Sequence, residues 1–594
     1  MTEYSAPLKD QRFVINELAG LKSISQLPAF EHATDDLIEP ILEEASRFAS
    51  EVLSPTNVIG DQERCRIEDG KVKVPSAFSD AYKVFVESGW QTLDCPQDQG
   101  GMGLPSLIGS ATAEMWQSAN LSLGLCPMLT DGAIETIATH ATDELKQIYL
   151  EKMVTGEWTG TMDLTEPQSG SDLATIRTQA VPDGDHYKIS GTKIFITWGD
   201  HEMAENIVHL VLARLPDAPD GVRGISLFLV PKFLVNEDGS LGDRNDVFVT
   251  SVEHKLGIHA SPTCVLNYGD NGGAVGYLVG QENRGLACMF TMMNLARLQV
   301  GVQGLAISER SYQAARDYAK ERVQGQVPGR HESARIVQHP DVRRMLMIMK
   351  SLIEAMRATA YVTASTIDIS HHAEDAETKS EAFERTALLT PIAKGWMTEV
   401  AQELTSIGIQ VHGGTGFVEE TGAAQYLRDA RILTIYEGTT GIQANDLVGR
   451  KILADSGLAM QHMLEDIAEL DSKLAHCGLA LETIRNAVAT GHQRLERATR
   501  WLLGKAQDEP AVVYLAAFDY LMLAGTVVGA WQMGRAAEIA HRKLEENAGD
   551  ADFYKAKIIT ARFYAEEILP RSAGYLEAAT SDSSSAMELP EEQF

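Results

Sequence analysis

Cysteine is scarce. Six residues, Cys65, Cys95, Cys126, Cys264, Cys288 and Cys477, are scattered over 594 positions. None forms a C-x-x-C pair or sits near a set of histidines, so neither a structural zinc nor a disulfide framework is expected, and no metal site. The thiols read as small buried groups of a reduced, intracellular protein. Basic residues are also in short supply: 51 Lys+Arg stand against 83 Asp+Glu, a formal net charge of -32. That field works against nucleic acid and anionic lipid as partners; its plain reading is a well-solvated surface. The opening residues, MTEYSAPLKDQRFVINEL, lack a basic segment followed by an apolar one, so no secretory signal is expected. The end, ELPEEQF, carries no peroxisomal address. Long uncharged apolar runs are almost missing. Residues 511–531 come closest, but Asp519 lies near their middle, and a central carboxylate costs about 2.5–3.5 kcal/mol in a bilayer. A buried core helix fits better, and a soluble, cytoplasmic protein without an integral membrane segment is expected. There is no internal repeat, and GGTGF at 413–417 does not follow a strand, which weakens a Rossmann reading.

What is present is an ordinary globular composition, 44% hydrophobic and 23% charged, in a chain long enough for several domains. Residues 1–36 read as an arm with one amphipathic piece around Phe13, Val14 and Leu18. From 37 to 157 the apolar spacing is helical. VPSAFSDAYKVFVESGW sets Phe78, Tyr82, Phe85 and Val86 three or four apart, and PQDQGGMGLP at 96–105 is turn chemistry throughout. From 158 to 280 the runs are short and β-branched: HYKISGTKIFIT, NIVHLVLARL, GISLFLVPKF, VFVTSV and TCVLNY. Strands separated by Gly, Pro and Asp clusters suggest a sandwich or barrel. The helical period returns over 281–453, where Val342, Met345, Leu346, Met349, Leu352, Ile353 and Met356 form one stripe, as in a bundle. A further helical stretch, 454–594, carries Ile484, Val488, Leu495 and Leu502 on one face.

Three segments hold candidate chemistry. LTEPQSGSD at 164–172 is a polar loop at the start of the β-module, of the kind that presents N–H groups and hydroxyls to a ligand; a surface turn is the plain alternative. GTKIFITWGDH at 191–201 ends a strand on Thr197 between two large aromatics, Phe195 and Trp198. They would wall a flat cofactor, although aromatics in strands are more often core. In YEGTTGIQ at 436–443, Glu437 follows an apolar run and precedes a loop entering a helix. Half-desolvation would raise such a carboxyl toward a useful base; a carboxylate at a helix N-terminus is the alternative.

Together, in this order and architecture, these segments resemble the acyl-CoA dehydrogenase family over about residues 38–453. The resemblance implies a mainly α fold with a central β-domain: a helical N-terminal domain, a β-barrel or sandwich middle domain and a four-helix-bundle C-terminal domain, with FAD between them. The stretch after 453 is then an extra C-terminal helical domain. It implies Glu437 as the catalytic base. It implies flavin contacts from Leu164, Thr165 and Ser171, the last shared with substrate, and from Phe195, Ile196 and Thr197. Arg322 matches an arginine that reaches the cofactor of a neighbouring subunit, while Gln410, Gly413, Gly414 and Thr439 continue the cofactor site. Phe195 replaces the family's tryptophan, a loss Trp198 could offset. ERVQGQ lacks the usual phenylalanine before Gly325, and Gly441 replaces a frequent glutamine. His259 replaces a common arginine and reads as a packing residue. A minority of the family places the base just before a retained arginine; that arginine matches Arg297, given a substrate role, and Ala296 before it cannot accept a proton.

The arm and the extra domain resemble a larger bacterial subgroup of homodimers. Within it the likeness is greatest to enzymes converting 3-(methylthio)propanoyl-CoA to the acryloyl ester. Short- or medium-chain fatty acyl-CoA oxidation is the alternative substrate reading. An electron-transfer flavoprotein is the implied acceptor. Acyl-CoA oxidases share the fold, and so does a DNA-binding relative with a basic C-terminal domain, but the region after Asp455 is not basic overall.

Overall fold

The computed structural model describes residues 3–236, 238–329, 331–581 and 584–594. They form two compact units: one of Glu3–Ala6 and His32–Gln299, the other of Pro7–Glu31 and Val300–Phe594.

The first unit opens with helices α1 (Asp35–Phe48), α2 (Ser76–Glu87), α3 (Ser106–Ala119) and α4 (Leu121–His140). The amphipathic spacing expected of α2 buries Phe78, Ala81, Tyr82 and Phe85. Helix α4 begins where the Asn120 side chain accepts the Leu123 N–H at 3.0 Å, which satisfies a donor the helix itself leaves open.

Eight strands follow: β1 (Trp158–Asp163), β2 (Gln179–Asp183), β3 (His186–Thr197), β4 (Asn206–Arg214), β5 (Ile225–Pro231), β6 (Val247–Val252), β7 (Thr263–Tyr268) and β8 (Ala274–Val279). Their order is β6-β7-β3-β8-β5-β4-β1, with β2 beside β3 and touching β4. Strands β1 and β4 run parallel. The long β3 pairs with β7 through its C-terminal half and with β8 and β2 through its N-terminal half, so one strand joins two parts of the module. Strands β4 and β5 are buried along almost their whole length, which is why their sequences read as continuous apolar runs rather than alternating ones. Ile189, Ile196, Val211, Phe228, Cys264 and Leu266 share the core.

The division between units falls inside helix α5 (Gly285–Glu321). The second unit continues with α6 (Pro340–His372), α7 (Ala376–His412), α8 (Thr440–Asn445), α9 (Leu458–His476), α10 (Glu482–Lys505), α11 (Ala517–Glu545) and α12 (Ala551–Phe563). Pro340 occupies the first position of α6, where its missing N–H costs nothing. The expected stripe from Met345 to Met356 is buried, with Val342 only half-buried at its edge. Helix α11 lies against α7 through Gly525: a Cβ there would sit 2.2 Å from Cγ of the buried Trp396. Residues 520–531 of the apolar stretch are core, whereas Tyr514, Leu515 and Phe518 before them are exposed, and no helix among the described residues is long and apolar enough to cross a membrane.

The arm is part of this unit. Phe13, Val14 and Leu18 are buried. Gln11 donates to the Tyr361 hydroxyl at 2.9 Å, Ser365 to the Ala19 carbonyl at 2.7 Å and Arg535 to the Leu18 carbonyl at 2.8 Å. Lys557 lies 5.1 Å from the centre of the Phe13 ring and forms ion pairs with Asp10 and, at 3.2 Å, with Glu354. Burial pushes the Asp10 carboxyl up, but Lys557, Lys350 and Arg357 outweigh it and hold the group well below the usual carboxylate range.

Candidate active site

In the second unit, a short 3-10 turn, Arg431–Thr434, leads into the segment with Glu437. Glu437 is half-buried and adopts φ 55, followed by Gly438 at φ 83. Two successive left-handed residues reverse the chain, and only glycine takes the second position: a Cβ on Gly438 would meet the Gln443 amide nitrogen at 2.7 Å. A non-glycine residue such as Glu437 held there costs about 1–3 kcal/mol and persists only where its surroundings impose it. They do. Gln443 donates to the Glu437 carbonyl at 3.0 Å, and the fully buried Lys394 donates to the Gly438 carbonyl at 2.6 Å. Thr439 caps α8 by accepting the Ile442 N–H at 3.2 Å, and Thr440 donates to Glu399 at 2.6 Å. Tyr436 donates its hydroxyl to Gln303. Burial, and then the neighbouring Glu437 carboxylate, push that phenol well above its usual range.

The ends of α5 and α7 meet in the same unit. The Tyr318 and His412 rings lie 4.7 Å apart, and Thr415 donates to the Tyr318 hydroxyl at 3.1 Å. This brings together Arg322, which donates to Gln324 at 3.1 Å, and the turn of Gly413 and Gly414. Arg322, Gln410, Gly413 and Gly414 are all exposed. Gly413 sits at φ 61, and a Cβ on either glycine would meet nothing within 4 Å, so the turn borders open space.

In the first unit the loop after β1 is built around one buried carboxylate. Glu166 accepts the N–H of Arg177 at 2.6 Å, the N–H and hydroxyl of Thr178 at 3.0 and 2.6 Å, and the ammonium of Lys193 at 2.8 Å. Burial would raise this carboxyl, but Lys193 and these donors overcome it and hold it at about 2. Lys193, itself fully buried, also donates to the Leu164 carbonyl at 3.0 Å. The Ile194 N–H donates to the Thr165 carbonyl at 2.9 Å. Thus the 164–172 loop is fastened to β3, with Leu164 and Thr165 half-buried and Ser171 exposed.

At the end of β3 the pairing with β7 slips between Cys264 and Leu266. Phe195 takes φ 60 in this bulge and is 58% exposed, whereas Ile196 turns into the sheet core. A bulge re-aims a side chain that strict alternation would place otherwise. Thr197 is half-buried opposite Thr263. Trp198 is core rather than a second wall: it is 1% exposed, stacks on Phe78 at 6.5 Å and donates its indole N–H to the Ser122 carbonyl at 3.1 Å. Arg297 is buried on α5, with its guanidinium 5.9 Å from the centre of the Phe290 ring. His259 pairs with Asp61 at 2.8 Å through Nδ1, and its Nε2 lies 3.1 Å from the Leu256 carbonyl, a joint between loop and helix. Among the described residues no cluster of three or more His, Cys, Asp or Glu could hold a metal ion.

Sequence reasoning missed Glu166, Lys193, Lys394 and Gln443, the residues that fix the loops. The available signal was a lysine inside an apolar run, in GTKIFIT and in TPIAKGWM.

Family models match the chain in consecutive blocks: acyl-CoA dehydrogenase N-terminal domain over residues 37–157, middle domain over 161–270 and C-terminal domain over 283–452. An acetyl-CoA dehydrogenase C-terminal-like model matches 460–590. A 3-methylmercaptopropionyl-CoA dehydrogenase of Ruegeria pomeroyi is 48% identical over 569 residues, covering 95% of this chain and 96% of its own. The chain belongs to the acyl-CoA dehydrogenase family. This acyl-CoA dehydrogenase, an oxidoreductase, is also 36% identical over 613 residues to a butyryl-CoA dehydrogenase of Syntrophomonas wolfei, covering 100% of this chain and 99% of that one. The solved structure of an acyl-CoA dehydrogenase from Bacillus anthracis, complexed with FAD, shares the fold at a TM-score of 0.74 and 20% identity, covering 97% of this chain and 93% of that chain.

Proposed function

We propose that this acyl-CoA dehydrogenase oxidises 3-(methylthio)propanoyl-CoA to 3-(methylthio)acryloyl-CoA, with Glu437 as the base. The observation that carries the chemistry is the constrained Glu437–Gly438 turn, whose two carbonyls are tied back by Gln443 and Lys394. The observation that favours the substrate is the near full-length likeness to the Ruegeria pomeroyi enzyme.

The residues present fit FAD. Phe195 offers an exposed flat ring beside Thr197, the 164–172 loop offers backbone groups and the exposed Ser171, and Gly413 and Gly414 border open space. In this reading Leu164, Thr165, Ser171, Phe195, Ile196 and Thr197 contact FAD, Gln410, Gly413, Gly414 and Thr439 are further FAD contacts, and Arg322 reaches the FAD of a neighbouring subunit. When bound, FAD supplies the acceptor for the hydride that leaves the β-carbon. Glu437 takes the α-proton on its carboxylate oxygen. Its backbone N–H donates to the thioester carbonyl and stabilises the developing enolate, an effect worth about 2.7–4 kcal/mol for one such donor. Ser171 and Arg297 orient the substrate. The electron acceptor is an electron-transfer flavoprotein and the assembly a homodimer.

The 36% identity to a butyryl-CoA dehydrogenase supports a second reading, a short-chain fatty acyl substrate. Anaerobic mixing with a panel of CoA esters separates the two. The methylthio ester is expected to bleach the flavin absorbance fastest. Faster bleaching by butyryl- or hexanoyl-CoA overturns the substrate, and a colourless purified protein overturns the whole reading.

A further inference from the structure

Three consecutive residues of β3 set the chain at Leu164 and Thr165. The Lys193 ammonium donates to the Leu164 carbonyl at 3.0 Å, the Ile194 N–H donates to the Thr165 carbonyl at 2.9 Å, and Phe195 turns its ring outward. The Leu164–Thr165 peptide is trans, and a trans peptide points its N–H away from its carbonyl. The Leu164 carbonyl faces Lys193, which has no exposed surface. The Thr165 N–H therefore faces the opposite way, away from that buried lysine, on a residue that is only half-buried.

This orientation makes a relay. A hydrogen bond from an ammonium is roughly twice as strong as a neutral one, and bonds in series polarise one another by about 10–30% each. Electron density drawn to the Leu164 oxygen leaves the Thr165 N–H more positive and a better donor. The group behind the relay is fixed. Glu166 holds the ammonium at 2.8 Å and is itself held by the Gln168 amide, the Arg177 and Thr178 N–H groups and the Thr178 hydroxyl. Asp163, buried one position before Leu164, accepts the Thr161 hydroxyl at 2.6 Å and the Tyr268 hydroxyl at 2.5 Å. Burial lowers the Lys193 ammonium below the usual lysine range, against the pull of both carboxylates.

A neutral amide could anchor the loop. A buried ammonium with its own buried counter-ion is a costly way to hold one carbonyl, and what it adds over a neutral donor is polarisation. The hydride that leaves the β-carbon carries two electrons and one hydrogen nucleus to FAD, so the cofactor side gains one negative charge while the α-proton goes to Glu437. A stronger donor at the cofactor edge stabilises that charge more than it stabilises the oxidised form. Resting on the reading of Leu164 and Thr165 as flavin contacts, we infer that Lys193 is a positioning residue that acts through the Leu164–Thr165 peptide to raise the reduction potential of the bound flavin.

The test is the midpoint potential of the flavin in the holoenzyme, measured by anaerobic equilibration with a reference dye, with flavin content and urea melts read alongside. Lys193→Met is expected to shift the reduction equilibrium about tenfold toward the oxidised form, the scale of one hydrogen bond and about 30 mV for a two-electron couple. Because it strands Glu166, it is paired with the double variant Lys193→Met, Glu166→Gln. There neither charge remains, the melt is expected near wild type, and the shift should keep its sign. Glu166→Gln alone leaves the bond to Leu164 in place and is expected not to lower the potential. An unchanged potential in the double variant, a lowered one in Glu166→Gln as well, or loss of FAD from both lysine variants would make Lys193 an anchor only. Each overturns the inference and leaves the dehydrogenase reading standing. A purified wild type without flavin absorbance overturns the cofactor reading instead.

Discussion

The 164–172 loop and the 435–440 segment are fastened by the same device and differ in what surrounds it. In each, a lysine with no exposed surface reaches out of a regular element and donates to a backbone carbonyl: Lys193 on β3 to Leu164, Lys394 on α7 to Gly438. In the first loop the lysine also meets Glu166, which gathers four further donors. In the second the further ties include the Gln443 amide, the Thr439 cap and the Thr440 hydroxyl, which donates to Glu399 at 2.6 Å. A loop that only has to present its backbone tolerates a charge lock. In the proposed reading the 435–440 segment presents the Glu437 carboxylate as a base, whereas Glu166 is committed to holding its own loop.

Removing one carboxylate from each loop should therefore give opposite phenotypes. Glu437→Gln is expected to cut turnover by about 10²–10⁴-fold, the range of general base catalysis, with flavin content and melting temperature nearly unchanged; normal turnover would contradict the base. Glu166→Ala leaves Lys193 buried without its partner and should destabilise the fold by about 3–5 kcal/mol, read by urea melts. If Glu166→Ala melts like wild type, the charge-lock account fails. Lys394→Met is intermediate: the orphaned Gly438 carbonyl should cost about 1–3 kcal/mol, and kcat should fall more than KM changes. The smallest effect is in pH. Glu166 has a depressed carboxyl, so its contribution to stability is complete above the ordinary glutamate range and is lost as pH falls toward 2. Glu166→Gln should lack that part of the acid dependence while Glu437→Gln keeps it. Equal acid melts for wild type and Glu166→Gln would remove the assignment.

Much of this architecture is written locally. HYKISGTKIFIT and TCVLNY are strands end to end because their β-branched and alternating residues need only neighbours a few positions away. Helix α2 follows from three- and four-residue spacing. The anchors are different. Lys193 is 27 residues from Glu166 and Lys394 is 44 from Gly438, and no local pattern announces such a pairing. The outward turn of Phe195 depends on a register slip against β7, so the aromatic pair expected as a wall became one exposed ring and one buried in the core.

The docking of the arm has a consequence for synthesis. Gln11 and Ser365 join segments hundreds of positions apart, but the last partners come later still: Leu18 waits for Arg535, 517 residues on, and Lys9 for Asp550, 541 residues on. At about 5–20 residues per second of translation, the arm stays without those partners for roughly half a minute to two minutes. This stretch is thus locked in place only after more than five hundred further residues have been made.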